Sequence, residues 1–123
     1  MQPISTNHAP AAVGPYSQAV LHKETLFISG QLGIDPATGI MAESFQAQAE
    51  LVFENLKAIL AAAGMSMENA VKVSVFLKDL NNFAAMNDIY ARFFSQPYPA
   101  REAVEVARLP KDGLIEISLI AMR

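Results

Sequence analysis

The stretch AVKVSVFLKDLNNFAAMNDIYARFF, residues 70–94, decides the predicted fold because its hydrophobic period changes once along its length. Residues 70–77 alternate and predict a strand, with one face made of Val71, Val73, Val75 and Leu77. Residues 81–94 have apolar side chains at helical spacing, and Asn81 or Asn82 is the predicted N-cap. A strand followed directly by a helix is typical of a crossover between strands of one sheet.

The segments upstream extend this alternation of strands and helices. Residues 44–63 carry one apolar stripe at helical spacing and predict a helix that ends before Gly64. Residues 17–21 and 25–30 predict a β-hairpin around the polar HKE. Between hairpin and helix, the Pro- and Gly-containing GIDPATGIM predicts a loop.

The last part of the chain, residues 97–123, adds two strands separated by a turn. The predicted order is therefore β-β-α-β-α-β-β, in one domain spanning residues 1–123. Right-handed crossovers between neighbouring strands put both helices on the same face of the sheet. We expect an α+β fold, in which one mixed sheet carries two helices on one face and leaves the other face for solvent or another subunit.

Two charged residues lie within these final strands. Alternation in REAVEVA separates Val104 and Val106 from a set that contains Arg101. Alternation in LIEISLIAM separates a fully apolar set from one that contains Glu116. We expect the apolar sets under the helices, so that Arg101 and Glu116 share the face without helices. Small and apolar side chains on that face favour burial against a partner, which predicts a homo-oligomer with closed symmetry.

Each charged residue has a structural and a functional interpretation. Arg101 could form a structural ion pair with Glu105 or Glu116, or its planar guanidinium could bind a ligand carboxylate through two hydrogen bonds. If Glu116 lies near Arg101, the positive charge lowers the pKa of Glu116 and keeps it ionised. An ionised glutamate can orient a water molecule or accept a proton from it.

Three further residues have open interpretations. Tyr16, in GPYSQ, is either a packed aromatic at a strand start or a ligand-binding hydroxyl. Gly30, inside a strand pattern, indicates a bulge or a close approach by a neighbouring strand or ligand. Asn87 on the second helix has the features of an ordinary polar surface residue.

Composition disfavours several classes of function. The 123 residues include no cysteine and two histidines, so disulfides, thiolate nucleophiles and cysteine metal sites are ruled out. No acid or histidine cluster has metal-ligand spacing, so no metal is expected. The net charge of −3 disfavours nucleic-acid binding. No apolar run is long enough to span a membrane, no secretory signal is visible, and the lack of cysteine fits the cytoplasm.

Several segments together resemble the RidA/YjgF family, the reactive intermediate deaminases. The resemblance covers nearly the whole chain and includes NHAPAAVGPYSQAV, ISGQLGIDPATG and the more specific PAREAVEVARLPKDGLIEISLIA. It implies a chorismate-mutase-like fold and a homotrimer with a pocket at each subunit interface. It also implies cofactor-free hydrolysis of 2-iminopropanoate and 2-iminobutanoate to 2-oxo acids and ammonia.

The resemblance also implies roles for particular residues. Arg101 corresponds to the arginine that binds the substrate carboxylate, and Glu116 to the glutamate that positions the attacking water. The residues that correspond to the remaining pocket lining are Tyr16, Ser29, Gly30 and Asn87. Ala103 is also expected to contact the substrate. Two features depart from the family: Ala103 stands where many members have cysteine, and the segment SQPYP, residues 95–99, is shorter than in many relatives.

Two other functions remain as alternatives. An endoribonuclease or translation inhibitor is one, although the acidic composition and the two histidines count against it. A non-catalytic trimer that binds a metabolite or acts as a chaperone is the other. Substitution of Glu116 distinguishes the non-catalytic trimer from the deaminase, because a non-catalytic protein would tolerate the loss of Glu116 and the enzyme would not.

Overall fold

The computed structural model describes residues 1–123, which form six strands and two α-helices. In chain order the elements are β1 (Gln2–Ile4), β2 (Ala19–His22), β3 (Thr25–Leu32), α1 (Phe45–Ala62), β4 (Ala70–Leu77), α2 (Phe83–Phe93), β5 (Ala100–Glu105) and β6 (Ile115–Met122). Single 3₁₀ turns cover Met67–Asn69, Leu80–Asn82 and Pro110–Asp112. The predicted element order is confirmed, except that the short strand β1 was not predicted.

The strands form one sheet in the order β1-β2-β3-β6-β4-β5. Strand β6 is antiparallel to both β3 and β4, whereas β4 and β5 are parallel, so the sheet is mixed as predicted. Helix α1 connects β3 to β4 and α2 connects β4 to β5. The rings of Phe53 on α1 and Phe93 on α2 stack with centroids 4.8 Å apart, so the helices lie side by side on one face.

The helix starts differ in how they are capped. The Ser44 hydroxyl accepts a hydrogen bond from the Ala47 N–H and caps α1, which begins at Phe45, one residue after the predicted start. Helix α2 begins at Phe83, two residues later than predicted, because a 3₁₀ turn precedes it. Asn82 occupies the N-cap position of α2 as predicted, but its side chain makes no capping hydrogen bond. The carboxylate of Asp79 caps the preceding 3₁₀ turn by accepting a hydrogen bond from the Asn81 N–H.

The core lies between the helices and the apolar face of the central strands. The residues of β6 that point to the helices are buried, as predicted: Ile115, Ile117, Leu119 and Ala121. On β4, Val73 and Val75 are buried, but Val71 is 42% exposed. The prediction for Val71 is wrong because the register shifts between Ala70 and Lys72, which leaves Val71 out of the alternation.

The predicted facing of β5 is also wrong. Arg101 and Ala103 pair with Val73 and Val75 of β4, whose side chains lie under the helices. Arg101 and Ala103 are therefore on the helix-covered face, and Val104 is 42% exposed on the open face. Alternation separates the two sets of side chains, but on an edge strand it does not indicate which of the two sets is covered.

The aromatic contact between the helices makes a large contribution to stability. Phe53 is fully buried, stacks on Phe93 and makes edge-to-face contacts with Tyr90 and Phe94. We expect Phe53→Ala to lower the free energy of unfolding by about 3–5 kcal/mol, measured by urea denaturation. Ile40→Ala is the control, because Ile40 is 68% exposed and its truncation should cost under about 0.5 kcal/mol. Equal losses for the two variants would contradict this account of the core.

Candidate functional site

The predicted site residues divide between two pockets. The Glu116 pocket is a cavity of about 580 Å³ whose lining includes Tyr16, Ser29, Gly30, Lys111 and Glu116. The Arg101 pocket is a cavity of about 300 Å³, lined by Asn87, Tyr90, Ala91, Tyr98, Pro99 and Arg101. Ala103 lines neither pocket and instead packs against the core.

The position of Glu116 in the sheet explains the direction of its pKa shift. Its cross-strand neighbours on the open face are Leu32 of β3 and Phe76 of β4. Glu116 forms no hydrogen bond or ion pair in the chain, and burial raises the pKa of its carboxyl above the ordinary 4.5. The predicted lowering of this pKa depended on a nearby Arg101, and that premise is wrong because Arg101 lies on the other face.

Gly30 makes room for the Glu116 side chain. A Cβ atom at Gly30 would lie 2.8 Å from Glu116 Cδ, closer than real Cβ contacts. The pairing of β3 with β6 is also irregular between Ile28 and Gln31, which contains Gly30. The prediction of a bulge or a close approach at Gly30 is confirmed, and the group that approaches is the Glu116 carboxyl.

The segment before β2 builds another wall of the Glu116 pocket. Tyr16 is 52% exposed, so the interpretation as a packed aromatic does not hold within this chain. The Ser29 hydroxyl donates a 2.7 Å hydrogen bond to the Ser17 carbonyl and joins this segment to β3. Buried Gln18 accepts from the Thr6 N–H and donates to three carbonyls, and so orders the N-terminal residues of the wall.

Arg101 is held by helix α2 rather than by an acid. Its Nη1 donates a 2.7 Å hydrogen bond to Asn87 Oδ1. Its Cζ lies 4.8 Å from the ring centroid of Tyr90 and 5.6 Å from that of Phe83, both within cation–π range. The alternative of an ion pair with Glu105 or Glu116 is wrong, because Glu105 accepts a hydrogen bond from the Leu80 N–H and Glu116 is on the other face. The Arg101 guanidinium therefore carries a charge with no acidic partner.

Sequence reasoning missed Gln18 and Tyr90. Tyr90 is 7% exposed and its hydroxyl has no hydrogen-bond partner. Burial raises the pKa of the Tyr90 phenol, and the positive charge of Arg101 partly offsets that effect. The sequence did contain one indication of the role of Tyr90. Asn87 and Tyr90 are three residues apart and therefore lie on one face of the helix, where both contact Arg101.

Arg101 and Glu116 cannot act on the same small molecule within one chain. Arg101 pairs with Val73, which in turn pairs with Leu119, three residues along β6 from Glu116. The two residues are thus separated by roughly 10 Å across the strands, by roughly 10 Å along them, and by the sheet itself. The predicted common face for the two residues is wrong.

The structure contains no group of three or more acids, histidines or cysteines arranged to hold a metal ion. None of its helices is both long enough and apolar enough to cross a membrane.

Comparison with known proteins identifies the family. The sequence profile of the family described as Endoribonuclease L-PSP matches residues 6–123. The crystal structure of RidA from an Antarctic Psychrobacter species superposes with a TM-score of 0.98 at 54% identity, covering 100% of both chains. The chain belongs to the RidA/YjgF family.

Two other RidA/YjgF members bear on the chemistry. A protein named 2-iminobutanoate/2-iminopropanoate deaminase from Salmonella typhimurium is 51% identical, covering 98% of this chain and 96% of that protein. The crystal structure of E. coli TdcF with bound serine superposes with a TM-score of 0.96 at 46% identity, covering 100% of this chain and 99% of that one. The resemblance predicted from the sequence is confirmed at the level of family and fold.

The raised pKa of Glu116 makes stability depend on pH. Below the ordinary pKa the carboxyl is neutral in both the folded and unfolded chain. As the pH rises through the raised folded pKa, the unfolded chain has already released its proton, so folding loses stability. We expect Glu116→Gln, which cannot ionise, to gain stability relative to wild type as the pH rises above the ordinary carboxyl pKa of 4.5, measured by urea denaturation at fixed protein concentration.

Glu43→Gln is the control for the pH series, because Glu43 is exposed in the loop before α1 and forms no ion pair. The Glu43→Gln variant measures how the loss of one negative charge by itself changes the free energy of unfolding. A difference between wild type and Glu116→Gln that stays constant over this pH range would contradict the assignment.

Proposed function

We propose that this RidA/YjgF member hydrolyses reactive 2-imino and enamine acids, 2-iminopropanoate and 2-iminobutanoate, to 2-oxo acids and ammonia. The observation that carries the proposal is that Arg101 and Glu116, each at a pocket, both lack a partner of opposite charge in the chain. Relatives about half identical to this chain are named as deaminases of these compounds, which supports the same substrate class.

Arg101 is the anchor for the substrate carboxylate. Asn87 and the Tyr90 ring fix its guanidinium, so its remaining N–H groups are oriented to bind a carboxylate through two hydrogen bonds. The related TdcF structure contains serine, an amino acid whose α-carboxylate and α-nitrogen have counterparts in a 2-imino acid. An anchored carboxylate places the imine carbon at a defined distance from the other side chains of the site.

Glu116 is the group that holds and activates water. The carboxylate accepts a proton as the water oxygen adds to the carbon of the protonated imine, and it returns this proton to the nitrogen of the resulting carbinolamine. As the carbon–nitrogen bond breaks, the hydroxyl oxygen becomes the carbonyl of the 2-oxo acid, and the hydroxyl proton passes to the departing ammonia, which leaves as ammonium. The raised pKa of Glu116 makes the carboxylate a better proton acceptor near neutral pH. No cofactor is needed, because a protonated imine carbon is already electrophilic.

Assembly of the site requires a second copy of the chain. We propose a homotrimer in which Arg101 of one copy meets the Glu116 pocket of its neighbour. Two features support this: the two residues lie on opposite faces of one sheet, and the open face exposes Phe27, Val104 and Met122. An open face with several exposed apolar side chains is typical of a subunit interface.

RNA cleavage is the competing activity, since the family is described as an endoribonuclease. The observations favour it less. His8 and His22 are exposed and line neither pocket, and the net charge is −3. RNA degradation by purified protein that disappears with Arg101→Ala would favour RNA as the substrate.

Loss of the carboxylate anchor tests the activity. A threonine dehydratase supplies 2-iminobutanoate, and the rate of 2-oxobutanoate release is measured with and without this protein. We expect Arg101→Ala to lose at least about 100-fold in kcat/KM, because an unanchored substrate is no longer held near the water. Arg92→Ala is the matched control, since Arg92 is an exposed arginine that pairs with Glu50. Wild-type activity in Arg101→Ala, with fold and assembly retained, would refute the anchor.

Mixed assemblies test whether each site uses two copies. Arg101→Ala and Glu116→Gln are each inactive if both groups are required. After the two variants are unfolded together and refolded at equal amounts, about one quarter of sites regain both groups if these come from different copies. Activity near that fraction is the expected result. Mixed trimers without activity would place both groups of a working site in one chain.

A further inference from the structure

The turn at the mouth of the Glu116 pocket has an unusual backbone. Lys111 and Asp112 both have a φ of 56°, in the left-handed region that non-glycine residues rarely adopt. The two residues follow Pro110 and lie between β5 and β6. Consecutive side-chain-bearing residues in this region are strained, and such strain is found most often at functional sites.

The surrounding structure holds this turn in place. Arg108 Nε donates a 2.9 Å hydrogen bond to Asp112 Oδ1. The Asp112 and Gly113 N–H groups donate to the Leu109 and Pro110 carbonyls, and Leu109 is buried. Lys111 is therefore presented from a fixed turn rather than from a free loop.

Lys111 is the only cationic residue among the thirteen that line the Glu116 pocket. Its ammonium forms no ion pair or hydrogen bond. Three of the other lysines are engaged: Lys57 pairs with Glu54, Lys72 with Glu102, and Lys78 donates to the Ala107 carbonyl. Lys111 thus brings a positive charge without a partner to a cavity whose only other charged residue is Glu116.

We propose that Lys111 attracts the carboxylate of the substrate into the Glu116 pocket. This inference rests on the proposed function, whose substrates are anions. The net charge of −3 repels such molecules, and a fixed cation at the pocket mouth raises their local concentration. Lys111 acts on arrival and binding, before Arg101 anchors the substrate, so it changes KM and leaves kcat nearly unaltered.

The variants are chosen to keep the turn intact. Asparagine and aspartate tolerate the left-handed region, so Lys111→Asn removes the charge and Lys111→Asp reverses it without a new backbone strain. Lys111→Arg restores the charge. Lys23 provides matched controls, Lys23→Asn and Lys23→Asp. It also has a positive φ, of 54°, forms no ion pair, and lies in the β2–β3 turn at the opposite end of β3 from the pocket.

The measurement is kcat and KM for 2-iminobutanoate hydrolysis at low and high salt, together with the affinity for the product 2-oxobutanoate. At low salt we expect kcat/KM to fall about 2–5-fold in Lys111→Asn and about 5–20-fold in Lys111→Asp, with recovery in Lys111→Arg. The differences should shrink at high salt, and the affinity for 2-oxobutanoate should follow the same order. The Lys23 variants should behave as wild type.

The outcomes separate this inference from the proposed function. Active Lys111→Asp protein with wild-type KM, salt dependence and product affinity overturns the role of Lys111 and leaves the deaminase proposal standing. Wild-type protein that binds 2-oxobutanoate without hydrolysing imines refutes the deaminase proposal, and the order of product affinities then decides the role of Lys111. Wild-type protein that neither binds nor hydrolyses overturns both.

Discussion

The packing of β6 between β3 and β4 is the constraint on which the rest of the structure depends. Alternate residues of β6 are buried under the helices, and strands on both sides hold the register through Ile117, which pairs with Gln31 and Val75. A slip of one residue would bring Glu116 into the core and expose the apolar set. The open-face position of the Glu116 carboxyl, and therefore its raised pKa, is a consequence of core packing.

Arg101 is fixed by a different part of the fold. It lies on the edge strand β5, and α2 supplies an amide oxygen from Asn87 and the ring face of Tyr90. None of these contacts neutralises the charge, so the guanidinium stays available to an anion. Because the core places Glu116 on the opposite face, the fold of one chain separates the two charged groups, and our proposal brings them together through the contact between copies.

Most of the fold could be predicted because the hydrophobic periodicity of each long strand or helix lies within one short segment of the sequence. The strand predicted at residues 70–77 has the same bounds as β4, and the predicted helix at residues 44–63 agrees with α1 to within one residue at each end. Strand β1 was missed because three residues containing a proline carry no periodic signal. The facing of Val71 was missed because a bulge interrupts the alternation without any glycine to mark it.

The sequence by itself determined which residues form strands and helices, which family the chain resembles, and which charged side chains break its apolar pattern. Periodicity and motifs carry that information within short segments. Only the tertiary structure decided that Arg101 faces the helices, that Glu116 has a raised pKa, and that Gln18 and Tyr90 support the two pockets. Facing, burial and hydrogen-bond partners arise between segments far apart in the chain, and alternation specifies two faces of a strand without specifying which of them is covered.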